Sequence, residues 1–168
     1  TKLLGSLHKI KKDSLVILAD DDNSYENYMI EKFYYFHKVA PDNAYSFYVH
    51  PLDNFPIGQG ADGFAINTNA LKGVKNFYDK VVKDHKELFL CDDLWISYFL
   101  YHIKKNKILS LQEHIKKRDD GKITLIYKTH TKAAGLIELY GSNLKEAIKR
   151  RDKIARESLR YVVEKLKI

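Results

Sequence analysis

Three places in the chain set carboxylates where chemistry is expected: Asp20-Asp21-Asp22, Asp62 between glycines, and Asp92-Asp93. The first follows Leu15-Val16-Ile17-Leu18-Ala19, an apolar run of β-forming types that predicts a buried strand ending in acids. In an open α/β sheet, ligands collect beyond the C-terminal ends of strands. If the chain stays extended there, Asp20 and Asp22 project to the same side. Two like charges about 4 Å apart repel by about 4 kcal/mol at an effective dielectric near 20. A divalent cation removes that repulsion, and hard oxygen ligands suit Mn2+ or Mg2+. The plainer reading of the same residues is a solvated loop in which Asp22 or Asn23 caps the next helix.

Asp92-Asp93 precedes an apolar helical pattern. Acids in a first turn are favoured by the helix dipole, typically by about 0.3–1 kcal/mol, which is the ordinary explanation of such a pair. Asp62 sits in Gly58-Gln59-Gly60-Ala61-Asp62-Gly63, a match to GxGxxG. The dinucleotide fingerprint must follow a strand and open a helix. Here Asn54-Phe55-Pro56 precedes and a strand-like Phe64-Ala65-Ile66-Asn67 follows, so the Rossmann reading is rejected. The glycines instead let the backbone pass close to a ligand or a neighbouring strand.

The elements that must position these groups can be read in order. Residues 3–12 predict the end of a helix, with Leu3, Leu4, Leu7 and Ile10 on one face. After the strand at 15–19, Asn23 or Ser24 caps a helix over 25–39, whose aromatic stripe reads as core. Residues 44–50 read as a strand and 51–56 as a loop. Thr68 or Asn69 caps a helix over 70–86, with Leu71, Val74, Phe77, Tyr78 and Val81 inward. Residues 88–91 are an apolar link and 94–104 a helix. Residues 108–111 suggest a strand, 119–122 a hairpin turn, 123–127 a strand, and 128–132 a polar loop containing His130. A long helix follows residues 141–143, with Leu144, Ile148, Ala155, Leu159, Val162 and Leu166 in an irregular apolar stripe. Together these predict one α/β domain over 1–168, a mixed sheet flanked by helices, with no repeat or linker.

Composition narrows the function classes. The 168 residues suffice for one real core. No run approaches the length of a membrane span, and residues 1–5 do not form a signal peptide. The single cysteine, Cys91, excludes an internal disulfide and a cysteine-built zinc site. The expected location is cytoplasmic, at a membrane surface if a basic element rests there. Net charge is +7 with a pI near 9.2, which favours phosphate-bearing partners. Residues 145–167 hold nine Lys or Arg and four Asp or Glu, a net of +5, so the rest of the chain carries only +2.

The three acidic sites, taken in order, resemble the motifs of GT-A fold glycosyltransferases of the DxD-containing kind (GT2/GT31-like). Ala19-Asp20-Asp21-Asp22 followed by Tyr25 is similar to the DxD region. Gly58, Gly60, Gly63 and Phe64 resemble the glycine-rich segment after it. Asp92-Asp93-Leu94-Trp95-Ile96-Ser97 resembles the later acidic motif that opens a helix, and Thr1-Lys2-Leu3-Leu4 the stretch upstream of the DxD strand. The resemblance covers about residues 1–110 and implies a partial GT-A-like fold. It also implies metal-dependent transfer of a sugar from a nucleotide-sugar donor, a UDP-sugar foremost, to a glycan or lipid-linked acceptor, with inversion. On it, Asp20 and Asp22 hold the cation, Asp21 approaches ribose or metal, and Lys2 lies on the donor side. Asp93, beside Asp92, is the general base, and a carboxylate next to another tends towards a raised pKa. Gly58, Gly60, Ala61, Asp62 and Trp95 line the acceptor side, and His130 is the candidate for a further metal ligand. Family members carry a preceding β-α-β half that holds the nucleoside base. The resemblance, with the absence of an initiator Met, therefore implies a chain truncated at its N-terminus.

Two other classes stay open. The basic C-terminal helix suits a non-catalytic module that binds nucleic acid or an anionic membrane. Its mixed charges read equally as a solvated helix face, and no specific nucleic-acid partner is expected. The acidic sites alone also suit two-metal phosphoryl chemistry.

Overall fold

A computed structural model describes residues 2–21, 23–115, 127–129 and 143–166. Four strands form the central sheet: β1 (Leu15–Leu18), β3 (Ala44–Ser46), β6 (Phe64–Asn67) and β7 (Ile108–Ser110), in the order β1-β6-β3-β7. β6 runs antiparallel to both β1 and β3, whereas β3 and β7 are parallel. The sheet is therefore mixed. Apolar side chains leave both faces of it, as a sheet covered on both sides requires. Phe64, Ile66, Val16 and Leu18 face one cluster, while Ala65, Leu15 and Ile17 face the other.

Helices cover both faces. On the first lie α3 (Val74–Phe77), α4 (Lys86–Phe89), α5 (Asp92–Tyr98) and α6 (Leu144–Leu166), around Trp95, Phe99, Leu88 and Val162. On the second lies α2 (Tyr28–Val39), which buries Tyr28, Met29 and Phe33 against Phe47. A short α1 (Lys2–Ser6) tucks Leu3 into the first cluster. Asn143 caps α6: its Oδ1 accepts from Glu146 N at 3.0 Å.

Several expectations from sequence are corrected. Residues 23–25 do not start the helix. They form β2 (Asn23–Tyr25), paired antiparallel with β8 (Tyr127–Thr129), and the helix begins at Tyr28. Long-range pairing overrides the local capping signal at Asn23 and takes Lys128 and Thr129 out of the expected loop. The expected loop at 51–56 is a hairpin of β4 (Val49–Leu52) and β5 (Phe55–Gly58). Its two turn residues, Asp53 and Asn54, both have positive φ, 49° and 67°. Asp and Asn tolerate that conformation, and a tight hairpin turn of this kind demands it at both central positions. The helix over 70–86 is broken. Gly73 takes a φ of 92°, α3 continues into a π-helical turn at 78–82, and residues 86–89 form α4 in place of a link. α5 likewise runs on into a π-helical turn at 99–103. Ile148 of α6 is exposed and leaves the expected apolar stripe. The expected turn at 119–122 and the body of the strand at 123–127 lie outside the described residues. Among the described residues no helix is long and apolar enough to cross a membrane.

Candidate functional site

Strand register explains why distant acids meet. β1 and β6 pair antiparallel with Leu18 opposite Phe64, so the residues after β1 and those before β6 emerge at the same sheet end. Ala19 and Asp20 thus lie beside the turn at Gly60–Asp62. Tyr25 ties the two together. Its hydroxyl accepts from Asp20 N at 2.8 Å and donates to Ala61 O at 3.1 Å. Asn23 Nδ2 also donates to Ala61 O, at 3.4 Å.

α5 buttresses the same turn from below. Asp93 Oδ1 accepts from Gly60 N at 3.0 Å, and Ser97 Oγ accepts from Gly58 N at 3.0 Å. The spacing is matched: four residues of helix rise about 6 Å, and two residues of extended chain advance about 6.6 Å. Two donors on alternate residues of β5 and its continuation therefore meet acceptors one helical turn apart. A Cβ at Gly60 would lie 3.0 Å from Asp93 Oδ1, so a larger residue there would press on that carboxylate. Ser46 of β3 completes the support, its hydroxyl meeting both N and O of Gln59 at 3.2 Å.

These elements enclose a cleft of about 450 Å³. Asp20, Gly60, Ala61, Asp92 and Asp93 line it, so five of the sequence candidates converge. Leu18, Ile57, Leu90 and Leu94 supply an apolar side. The other candidates lie elsewhere. Trp95 is 0% exposed in the core, with Nε1 donating to Asp92 Oδ1 at 3.4 Å. Gly58 is buried and does not line the cleft. Asp62 is 5% exposed and does not line the cleft. The Tyr48 phenol is pushed up by burial, and further by the Asp62 carboxylate. Asp21 is exposed in a turn just after β1. β1 ends at Leu18, and the expected alignment of Asp20 with Asp22 falls outside the described residues. Asp22, His130 and the side chain of Lys2 lie outside the described residues.

Among the described residues no three His, Cys, Asp or Glu side chains gather as a metal-binding group. That set is not required when phosphates supply part of the coordination. Magnesium-like ions are commonly held by one or two carboxylates, water and substrate phosphates. Asp20, a hard oxygen donor on the cleft wall, fits such a role.

Sequence reasoning missed four contributors. His50 of β4, and Arg151 and Asp152 of α6, also line the cleft, and Ser97 holds its floor. Only Ser97 left a trace, as the residue one turn beyond Asp93. Comparison of the chain with protein-family models, curated proteins and solved structures gave no match.

Proposed function

We propose that the chain is a GT-A-like glycosyltransferase domain that moves a sugar from a nucleotide-sugar donor to an acceptor hydroxyl, with inversion and with a divalent cation. The observation that carries this reading is the convergence of Asp20, Gly60–Ala61 and Asp92-Asp93 on one cleft, with Asp93 bonded to Gly60. Acids that merely cap a loop and a helix have no reason to share a cavity.

Asp20 holds the metal side of the donor diphosphate, where a bound cation neutralises the departing nucleoside diphosphate. Asp93 takes the proton of the acceptor hydroxyl as that oxygen attacks the anomeric carbon. A carboxylate has about four lone-pair sites, so the Gly60 bond orients it without exhausting it. Asp92 lies beside it, steadied by the Trp95 indole. Leu90 and Leu94 give the acceptor an apolar wall, in keeping with a glycan carried on a lipid. Tyr25 is a positioning residue, since its hydroxyl joins the Asp20 backbone to the Ala61 carbonyl.

A second reading draws on α6. Lys145, Lys149, Lys153, Arg156 and Arg160 follow one another at intervals of three or four along its exposed face. Such a ridge suits an anionic membrane surface, where it would hold the transferase near a lipid-linked acceptor or serve a non-catalytic module. Part of the ridge is already paired, Arg156 with Asp53 and Lys153 with Glu157.

Calorimetric titration of UDP with manganese tests the main reading, with an Asp20→Asn/Asp22→Asn variant beside the parent chain. Heat that requires both UDP and metal and vanishes in the variant supports the donor site. A folded parent chain that binds neither sinks it.

A further inference from the structure

We propose that the outer face of α2 is a self-association surface, and that its partner is a second copy of this chain in an antiparallel, two-fold arrangement. The surface lies on the side of the sheet away from the cleft and does not rest on the transferase reading.

α2 is buried along one side, where Met29, Phe33 and Phe36 pack in the second cluster. Its opposite side is not the largely charged face expected of a helix that meets water. Ile30, Tyr34, Tyr35 and Val39 are 63, 55, 60 and 67% exposed. Eleven large hydrophobic residues are exposed among the described residues, and these four fall on one twelve-residue helix. Single exposed apolar side chains are ordinary, but a cluster of this kind marks an interaction surface.

The order of residues on this face selects what covers it. Glu31 and Lys38 are the charged residues among the apolar ones, and both are exposed. At about 100° per residue, they lie on the line that points directly away from Met29, Phe33 and Phe36. Lys38 Nζ stands 5.4 Å from the centre of the Tyr34 ring, which keeps its charge on this face. The six residues are symmetric about the midpoint between Tyr34 and Tyr35. Reversing the helix about that point exchanges Ile30 with Val39, Glu31 with Lys38, and Tyr34 with Tyr35. A two-fold axis relates a second copy in that way, since an isologous interface sets residue i against j and j against i. Each Glu31 then meets Lys38 of the second copy, about 5 Å to either side of the axis. The tyrosines of both copies pack at the centre, and Ile30 meets Val39 at the margins. A parallel pairing would set Glu31 against Glu31 and Lys38 against Lys38, so charge selects the antiparallel one. A lipid surface would accept the same apolar residues but would bury an acid at the middle of them.

One helix face is small beside the lower end of standard interfaces, about 1,200 Å² in total, so the dimer is weak and concentration-dependent. The cleft is built against the first face of the sheet, so this pairing leaves it open.

The test is sedimentation equilibrium of the full chain at low salt, from about 1 μM to about 1 mM. It compares the parent with Tyr34→Ser/Tyr35→Ser, Glu31→Lys, Lys38→Glu and the double swap Glu31→Lys/Lys38→Glu, each checked for native circular dichroism. We expect the parent to dimerise within that range and the tyrosine variant to lose about tenfold or more in Kd. Each single reversal replaces two opposite-charge contacts by two like-charge ones, and should also weaken the dimer by about tenfold or more. The double swap should dimerise more tightly than either single reversal. That rescue separates pairing from helix stability. Glu31 in the first turn and Lys38 in the last also suit the helix dipole, which the double swap opposes twice. A role in the helix alone therefore makes the double swap the weakest variant. A parent that stays monomeric to about 1 mM overturns the proposal. So does a dimer indifferent to the tyrosines, or a double swap no better than the single reversals. Flotation with neutral phosphatidylcholine vesicles covers the other occupant. A monomeric chain that floats, and ceases to in the tyrosine variant, gives the face to lipid and overturns the second copy.

Discussion

On one side of the cleft, residues 58–63 hang from hydrogen bonds to Ser46, Ser97, Asp93 and Tyr25. On the other, α6 meets the β4–β5 hairpin through polar contacts at partly exposed positions, Asp152 with His50 beside the cleft and Arg156 with Asp53 at the hairpin tip. The first wall is made by backbone N–H and C=O groups meeting buried or half-buried side chains, so its geometry is set when the core forms. The second is charged and wetter, so it yields more easily to a ligand and to salt. On the proposed transferase reading both have a use: a rigid wall would aim the base, and an adaptable one would receive and release a charged leaving group.

The largest expected effect lies at the rigid wall. Gly63 has a φ of 80°, and an added Cβ would meet the Phe33 ring at 2.8 Å. Phe33 is 0% exposed, so its ring is enclosed by the core. Gly63→Ala combines a disfavoured backbone conformation with overpacking, together about 2–5 kcal/mol. Urea denaturation should show the midpoint falling with an unchanged slope. A loss below about 1 kcal/mol would mean that this wall relaxes easily and that the contrast with α6 is overstated.

An intermediate effect is expected at Ser97. Its hydroxyl accepts from Gly58 N in a buried setting. Ser97→Ala strands that N–H without an acceptor, at about 1–3 kcal/mol. Hydrogen exchange sharpens the measurement. The Gly58 amide should lose protection in the variant by more than amides of β1 do. Equal loss throughout would show a global change in stability in place of a local one.

The two walls also differ in how far they could be read from sequence. The strand at 15–18, the turn into the strand at 64–67 and the helix opening at Asp92 all follow from local pattern. Asp93 and Ser97 carry the periodicity of one helix face, which is why the rigid wall was half visible. β2 was not visible, because Asn23-Ser24-Tyr25 has a helix-cap signature and becomes a strand only through its partner at 127–129. The hairpin at 49–58 was missed because Pro51 and Pro56 argue against strands, yet the two prolines sit opposite each other in the pairing. His50, Arg151 and Asp152 had no chance of detection. Nothing local links a residue of β4 to two on α6, and only packing of α6 across the first face brings them together.

The smallest effect is expected where α6 meets the hairpin. Arg156 Nε donates to both oxygens of Asp53, at 3.3 and 3.0 Å, but the two side chains are 44% and 64% exposed. Such a pair is worth about 0–1 kcal/mol, since water competes for both charges and two long side chains are immobilised. Arg156→Ala should therefore lower stability by less than about 1 kcal/mol. The difference from the parent should vanish near 1 M salt, where the screening length shrinks to about 3 Å. Urea denaturation at low and high salt measures both. A loss above about 2 kcal/mol that persists in salt would show α6 anchored as firmly as residues 58–63. Both walls would then be rigid, and the cleft would have to admit its ligand by some route other than movement of α6.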